Sequence, residues 1–229
     1  MNNIYANNFK YYSNEYNIEK YKKLLTKLTN SLLDNQWLRI SYYSLNEELK
    51  NPPSNYIKYI KTCFKPLGLW FSKGDWLFHS ISEKNINTRI TLVEINYNDI
   101  YKVTNKIPNN YIIDKYFLKK LNFFKKKYSI LKLLNNKHYF ELIKWKKVIK
   151  KYKGFAVYPF IKDAEFDNFL FTFDNSSLVL WNYESIINYY DLGKISDYIN
   201  LETFNKYNTI IQYKFINKLI KKINNINKI

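Results

Sequence analysis

The chain has few of the residues that most enzyme motifs require. One cysteine, Cys63, in 229 residues excludes an internal disulfide framework and a cysteine-rich zinc site. Four glycines are too few for a phosphate-binding loop or a dinucleotide-binding glycine triplet beside their other uses. The two histidines, His79 and His138, stand 59 residues apart, neither with a second histidine or a cysteine nearby, so neither metal chemistry nor a histidine relay is expected. Only Arg39 and Arg89 among the 37 lysines and arginines are arginine, which leaves little of the planar fork that grips phosphate or guanine in a bidentate manner. No apolar run reaches the roughly 18 residues of a membrane span. Met1–Asn8 is too polar for a secretory signal. The expectation is an intracellular, non-secreted protein without a membrane span.

What is present is charge and aromatic surface. The formal net charge is +18, aromatic residues make up 19% of the chain, and hydrophobic residues make up 46%. That is enough apolar material for a core, so this is not a disordered basic tail. Lysine, asparagine and tyrosine all have AT-rich codons, and part of the lysine content follows from an AT-rich genome. The positive field is physical whatever its origin, and it attracts polyanions such as DNA or RNA.

Periodicity predicts an α+β fold: a central, mostly antiparallel sheet flanked by helices, with amphipathic helices near both ends. Residues 1–229 read as one domain, its core at about 37–182 and helical extensions at 1–36 and 183–229. Ile18, Tyr21, Leu25, Leu28 and Leu32 place one apolar face on a helix over Asn17–Asp34. Strands are expected at Trp37–Ser44, Gly68–Ser72 and Arg89–Tyr97, with Ile100–Thr104 continuing the last of these or pairing with it. The Asn51-Pro52-Pro53-Ser54 break precedes a short helix around Tyr56–Cys63. Two lysine-rich helices follow, about Asp114–Leu134 and Glu141–Tyr152. Strands resume at Phe155–Phe160, Phe169–Phe173 and Leu178–Trp181. A final helix near Asn208–Ile223 carries Ile211, Phe215 and Leu219 on one side.

Charge concentrates in the middle. Residues 115–153 hold fourteen lysines and one acid, Glu141. Lys119, Lys120, Lys125, Lys126, Lys127, Lys146, Lys147, Lys150 and Lys151 are the candidate phosphate contacts, with Tyr128, Tyr139 and Trp145 available for base stacking. The plainer reading is a solvated helix face.

Two of the four glycines and two of the five tryptophans fall within residues 65–77. Lys65-Pro66-Leu67-Gly68-Leu69-Trp70-Phe71-Ser72, with Trp76 following, resembles the K-P-x-G-L-W-Y-S…W pattern of an uncharacterised family of large DNA viruses, phages and bacteria. Two more stretches match in order. Tyr152-Lys153-Gly154-Phe155-Ala156-Val157-Tyr158-Pro159-Phe160 resembles that family's Y-x-G-I-E-x-x-P-Y, and Phe173-Asp174-Asn175-Ser176-Ser177-Leu178-Val179-Leu180-Trp181 resembles its W-D-x-x-S-G-x-I-W. Ala156 replaces the family's Glu and Leu178 its Gly. A virion association is part of what the resemblance implies.

The order of parts is also similar to ADP-ribosyltransferase-like folds. That similarity implies NAD as cofactor and catalytic roles for Arg39, Ser72 and Asp174. Arg39 would pair with the phosphates, Gly68, Trp70, Phe71, Ser72 and Trp76 would line the dinucleotide, and Asp174 would stabilise the oxocarbenium-like centre. The plainer reading of Asp174 is the cap of a tight turn after an apolar strand. Three functions therefore remain open: an ADP-ribosyltransferase-like protein, degenerate at Ala156, a non-enzymatic basic nucleic-acid-binding or packaging protein, and an unrelated nucleic-acid enzyme.

Overall fold

A computed structural model describes residues 15–50, 68–82, 86–103, 145–158, 176–199 and 209–229. These residues form five helices, α1 (Glu15–Ser31), α2 (Leu45–Lys50), α3 (Asp75–Ser82), α4 (Trp145–Lys151) and α5 (Thr209–Ile226). Their seven strands are β1 (Gln36–Ser41), β2 (Leu69–Ser72), β3 (Arg89–Ile95), β4 (Ile100–Val103), β5 (Gly154–Val157), β6 (Ser177–Leu180) and β7 (Ile186–Lys194). The class is α+β. The chain clusters into two compact units, residues 1–44, 73–93 and 189–229 in the first and 45–72 and 94–188 in the second. The expected helices around Tyr56–Cys63 and Asp114–Leu134, and the expected strand Phe169–Phe173, lie outside the described residues.

The first unit is built on two amphipathic helices. Leu24, Leu28 and Leu32 on and just after α1, and Phe215, Ile216, Leu219, Ile220 and Ile223 on α5, are buried in one cluster with Leu38, Leu77, Ile90, Leu92, Leu192 and Ile195. Five side chains at about 1.5–3 kcal/mol each outweigh the weak helix propensity of α5's asparagines and isoleucines. The region after residue 182 holds more than a helix, because β7 occupies nine residues of it. That strand ends the strand order beside β3. Most of its side chains are exposed or half-buried, so it lacks the apolar alternation that announces a strand.

Where α1 turns into β1, the unit buries a charge. Lys73 has 2% of its surface exposed. Its ammonium donates to the carbonyls of Leu33 (3.1 Å), Asp34 (2.8 Å) and Gln36 (2.5 Å) and lies 4.6 Å from the ring centroid of Trp37, which is fully buried. Thr29 Oγ1 donates to the Lys73 carbonyl. Gln36, also fully buried, accepts from the Leu33 amide and donates to Asn227 Oδ1 at 2.7 Å, while Asn227 Nδ2 donates to the Ser31 carbonyl. Carbonyls that face out past a helix end need donors, and here one ammonium supplies three. Gly74 follows with φ +120°, a conformation that a side chain resists, and so delivers Lys73 inward and starts α3.

A second polar network lies beyond β7. Arg89 donates to Asp191 Oδ2, the Gly193 amide donates to Asp191 Oδ1, and both Tyr198 Oη and Lys222 Nζ donate to the Leu192 carbonyl. Burial pushes the Asp191 carboxyl up. The bonds from Arg89 and Gly193, with the charges of Arg89 and Lys222, more than offset that and hold it below 3.8.

In the second unit the strand order is β4-β5-β6-β2. β5 and β6 pair antiparallel, as do β6 and β2, but β4 and β5 run parallel. This corrects the expectation that Ile100–Thr104 extends or pairs with the Arg89 strand. A parallel partner needs a long crossover, which short-range pattern reading does not detect. β5 and β6 are buried along their whole length. Gly68 and Gly154 approach Leu180 from its two neighbouring strands, and a Cβ at Gly154 would meet Val179 O at 2.6 Å.

Two outcomes follow from the first unit. Lys73→Met, which keeps the aliphatic stem but strands the three carbonyls, should lower unfolding free energy by about 2–4 kcal/mol in urea titration. Asp191 has a lowered folded pKa, so its contribution is present above the unfolded value and lost as pH falls through the folded one. Wild type should therefore lose stability below about pH 4 more steeply than Asp191→Asn, measured by thermal melts across that window.

Candidate functional site

The sequence-predicted residues fall in several places. Gly68 immediately precedes β2, and Trp70, Phe71 and Ser72 lie on it in register with Val179, Leu178 and Ser177 of β6. Along β2, Leu69, Phe71 and Ser72 are buried and Trp70 is half-buried. Phe71 and Ser72 have no exposed surface at all. Arg39 is half-buried on β1 and Trp76 half-buried on α3, both in the other unit. Asp174 lies outside the described residues, as do Lys119, Lys120, Lys125, Lys126 and Lys127. Lys146 and Lys147 belong to α4, and Lys150 and Lys151 are exposed at its end. Ala156, where the resembled family carries glutamate, is 1% exposed and opposite Leu178.

A different group of side chains converges at the β4 edge of the second unit. Tyr101 stands opposite Phe155 across the parallel ladder, the rings stacked at 6.0 Å and 11°. Tyr152, between the end of α4 and β5, meets Tyr101 edge-on at 5.0 Å. Two lysines lie over tyrosine rings at this edge, one on each face of β4. Lys102 Nζ lies 3.6 Å from the Tyr97 centroid and Lys151 Nζ 5.3 Å from that of Tyr152, cation–π distances. Trp181 is half-buried and not fully enclosed by the apolar run before it; its indole nitrogen donates to the Tyr152 carbonyl at 2.5 Å.

Charge is arranged unevenly along this edge. Lys153 bridges Asp99 (3.0 Å) and Glu184 (3.1 Å), and those hydrogen bonds, the one to Asp99 foremost, raise its pKa above 10.5. The Lys153 amide donates to the Asp99 carbonyl, and its own carbonyl accepts from the Trp181 and Asn182 amides. Lys153 thus ties β4, β5 and β6 together. Burial, and then the neighbouring Tyr152, raise the Tyr101 pKa above 10.0, so its phenol stays neutral at physiological pH.

Sequence reading assigned stacking to Tyr128, Tyr139 and Trp145. Tyr128 and Tyr139 lie outside the described residues, and of Trp145 only the backbone is described. It overlooked Tyr97, Tyr101 and Tyr152, although the tripeptide Lys151-Tyr152-Lys153 is a local sign of an aromatic flanked by charge. Among the described residues, no group of three or more histidines, cysteines and acids is placed to hold a metal ion, and no helix is long and apolar enough to cross a membrane. No protein-family model, curated protein or solved structure matches the chain, so function is argued from the geometry alone.

The burial along β2 makes a measurable distinction. Phe71→Ala should cost about 3–5 kcal/mol, and Trp70→Ala less than half of that because its ring already meets solvent. Equal losses in urea unfolding would make Trp70 a core residue.

Proposed function

We propose that the chain is a basic nucleic-acid-binding protein that holds polyanions by charge and by stacking, without reading base identity. The observation that carries this is the β4 edge, where Lys151 lies over Tyr152, which meets Tyr101 edge-on, and Lys102, on the opposite face of the strand, lies over Tyr97. Such a surface offers what an unpaired strand needs: flat rings for bases, worth about 1–3 kcal/mol each, and point charges for phosphates. Lysine supplies charge without a fork, and with two arginines in the chain the bidentate recognition of guanine has few donors. Lys150 and Lys151, exposed where α4 ends, add to the positive field at this edge.

The transferase reading draws less support. A dinucleotide gripped by Phe71 and Ser72 would have to reach side chains with no exposed surface. At Ala156 a methyl group stands where the resembled family has a carboxylate, and its strand is buried along its length.

Tyr101→Leu and Tyr152→Leu keep apolar volume but remove the phenol ring. Each should weaken binding of a labelled single strand by roughly tenfold, on the 1–3 kcal/mol scale of base stacking, in fluorescence anisotropy. Wild-type affinity should fall steeply between about 50 and 200 mM salt. Unchanged affinity in both variants would remove the stacking surface, and saturable tryptophan quenching by NAD would restore the transferase reading.

A further inference from the structure

The last helix carries its own charged stripe. Lys214, Lys218 and Lys221 recur at four and three residues on α5 and are all exposed, so they share one face. Phe215, Ile216, Leu219, Ile220 and Ile223 are buried on the other. Residues 209–229 contain five lysines and no acid. Lys222 is occupied differently, bonded to the Leu192 carbonyl and 5.4 Å from the Tyr198 ring.

The neighbouring helix widens the stripe into a surface. Lys23 and Lys27 of α1 are exposed, and Lys27 Nζ donates to Asn217 Oδ1 at 2.8 Å, which ties the two helices on the side where α5's lysines begin. From Lys23 to the end of α1 the sequence again holds no acid. Like charges four apart on a helix destabilise it, so a face that were only solvated would gain from interspersed acids. Anionic partners remove that repulsion.

The partner's chemistry can be narrowed. Lys214 to Lys221 span about 10 Å of helix axis, close to the axial rise of three phosphates at about 3.4 Å each. A helix that lies on a membrane inserts large apolar side chains beside its lysines, whereas the apolar side chains described on α5 are buried in the unit's own core. The polar residues near the lysines include Asn217, Asn224 and Asn225, groups suited to phosphate and sugar oxygens.

We infer that the α1–α5 face, with Lys23, Lys27, Lys214, Lys218 and Lys221, is a second nucleic-acid contact surface that holds the backbone phosphates of a duplex independently of sequence. It shares its partner class with the function proposed above but uses no residue of the β4 edge. The test compares two variants of the whole chain, K214Q/K218Q/K221Q and K102Q/K150Q/K151Q, on a labelled duplex of arbitrary sequence and on a single strand. The α5 variant should lower the slope of log affinity against log salt for the duplex by about 2.7, at about 0.9 for each phosphate that a lysine no longer neutralises, and leave the tyrosine-dependent single-strand binding in place. An unchanged duplex slope in a variant that melts like wild type overturns the inference. Loss of single-strand binding in the other variant would still support the β4 edge, so the two ideas fail separately. Arginine at the same three α5 positions should restore the slope; if it does not, the lysines act through the fold and the inference fails. Loss of binding to phosphatidylserine vesicles with duplex binding intact would overturn it too, assigning the face to a lipid surface.

Discussion

The first unit depends on a cation enclosed within it. Placing the Lys73 ammonium out of water is costly unless its donors are used, and the turn between α1 and β1 answers with three carbonyls that would otherwise need partners of their own. The arrangement fixes more than the turn. It sets Trp37 against the lysine stem, draws the backbone of Lys73 to Thr29, and lets the Gln36 side chain clasp Asn227 beyond the end of α5. Helix, strand and C-terminal turn are thereby tied to one buried point, and the apolar cluster of α1 and α5 closes beside it.

The second unit solves a different problem. Its middle strands are buried throughout, and Gly68 and Gly154 let neighbouring backbones close on Leu180 where a Cβ would collide with main-chain atoms. Such packing leaves the chemistry to the edge. There Tyr101 and Tyr152 remain partly accessible, and Lys153 braces them through Asp99 and Glu184 while Lys102 and Lys151 lie against rings. An edge strand with lysine on it also resists pairing with a second copy. The residues that could meet a polyanion therefore also protect the sheet.

Several elements were legible because their physics is local. The α1 and α5 faces repeat every three to four residues, and the Leu69, Phe71 alternation reads directly as a strand. β7 was not legible, since it buries little and its exposed side chains carry no alternation. Nor was the β4–β5 pairing, which joins residues more than fifty positions apart in parallel. At the candidate site, two of the lysines singled out in the sequence, Lys150 and Lys151, are exposed at the end of α4, whereas the ring contacts are made by other aromatics. Ring contacts such as Tyr101 with Tyr152 are made by chain crossings that spacing does not encode.

By itself the sequence determined the charge, the poverty in arginine, cysteine and glycine, and the amphipathic helices, because each is a property of composition or of neighbours within a turn or two. It also placed a strand at Gly68–Ser72, where β2 forms. Only the tertiary structure decided that Lys73 is an interior lysine while Lys214, Lys218 and Lys221 are surface ones. All four are the same side chain, and what separates them is whether carbonyls from a distant turn or solvent surround the ammonium. That difference is set by how segments nearly forty residues apart close on one another, which no local pattern specifies.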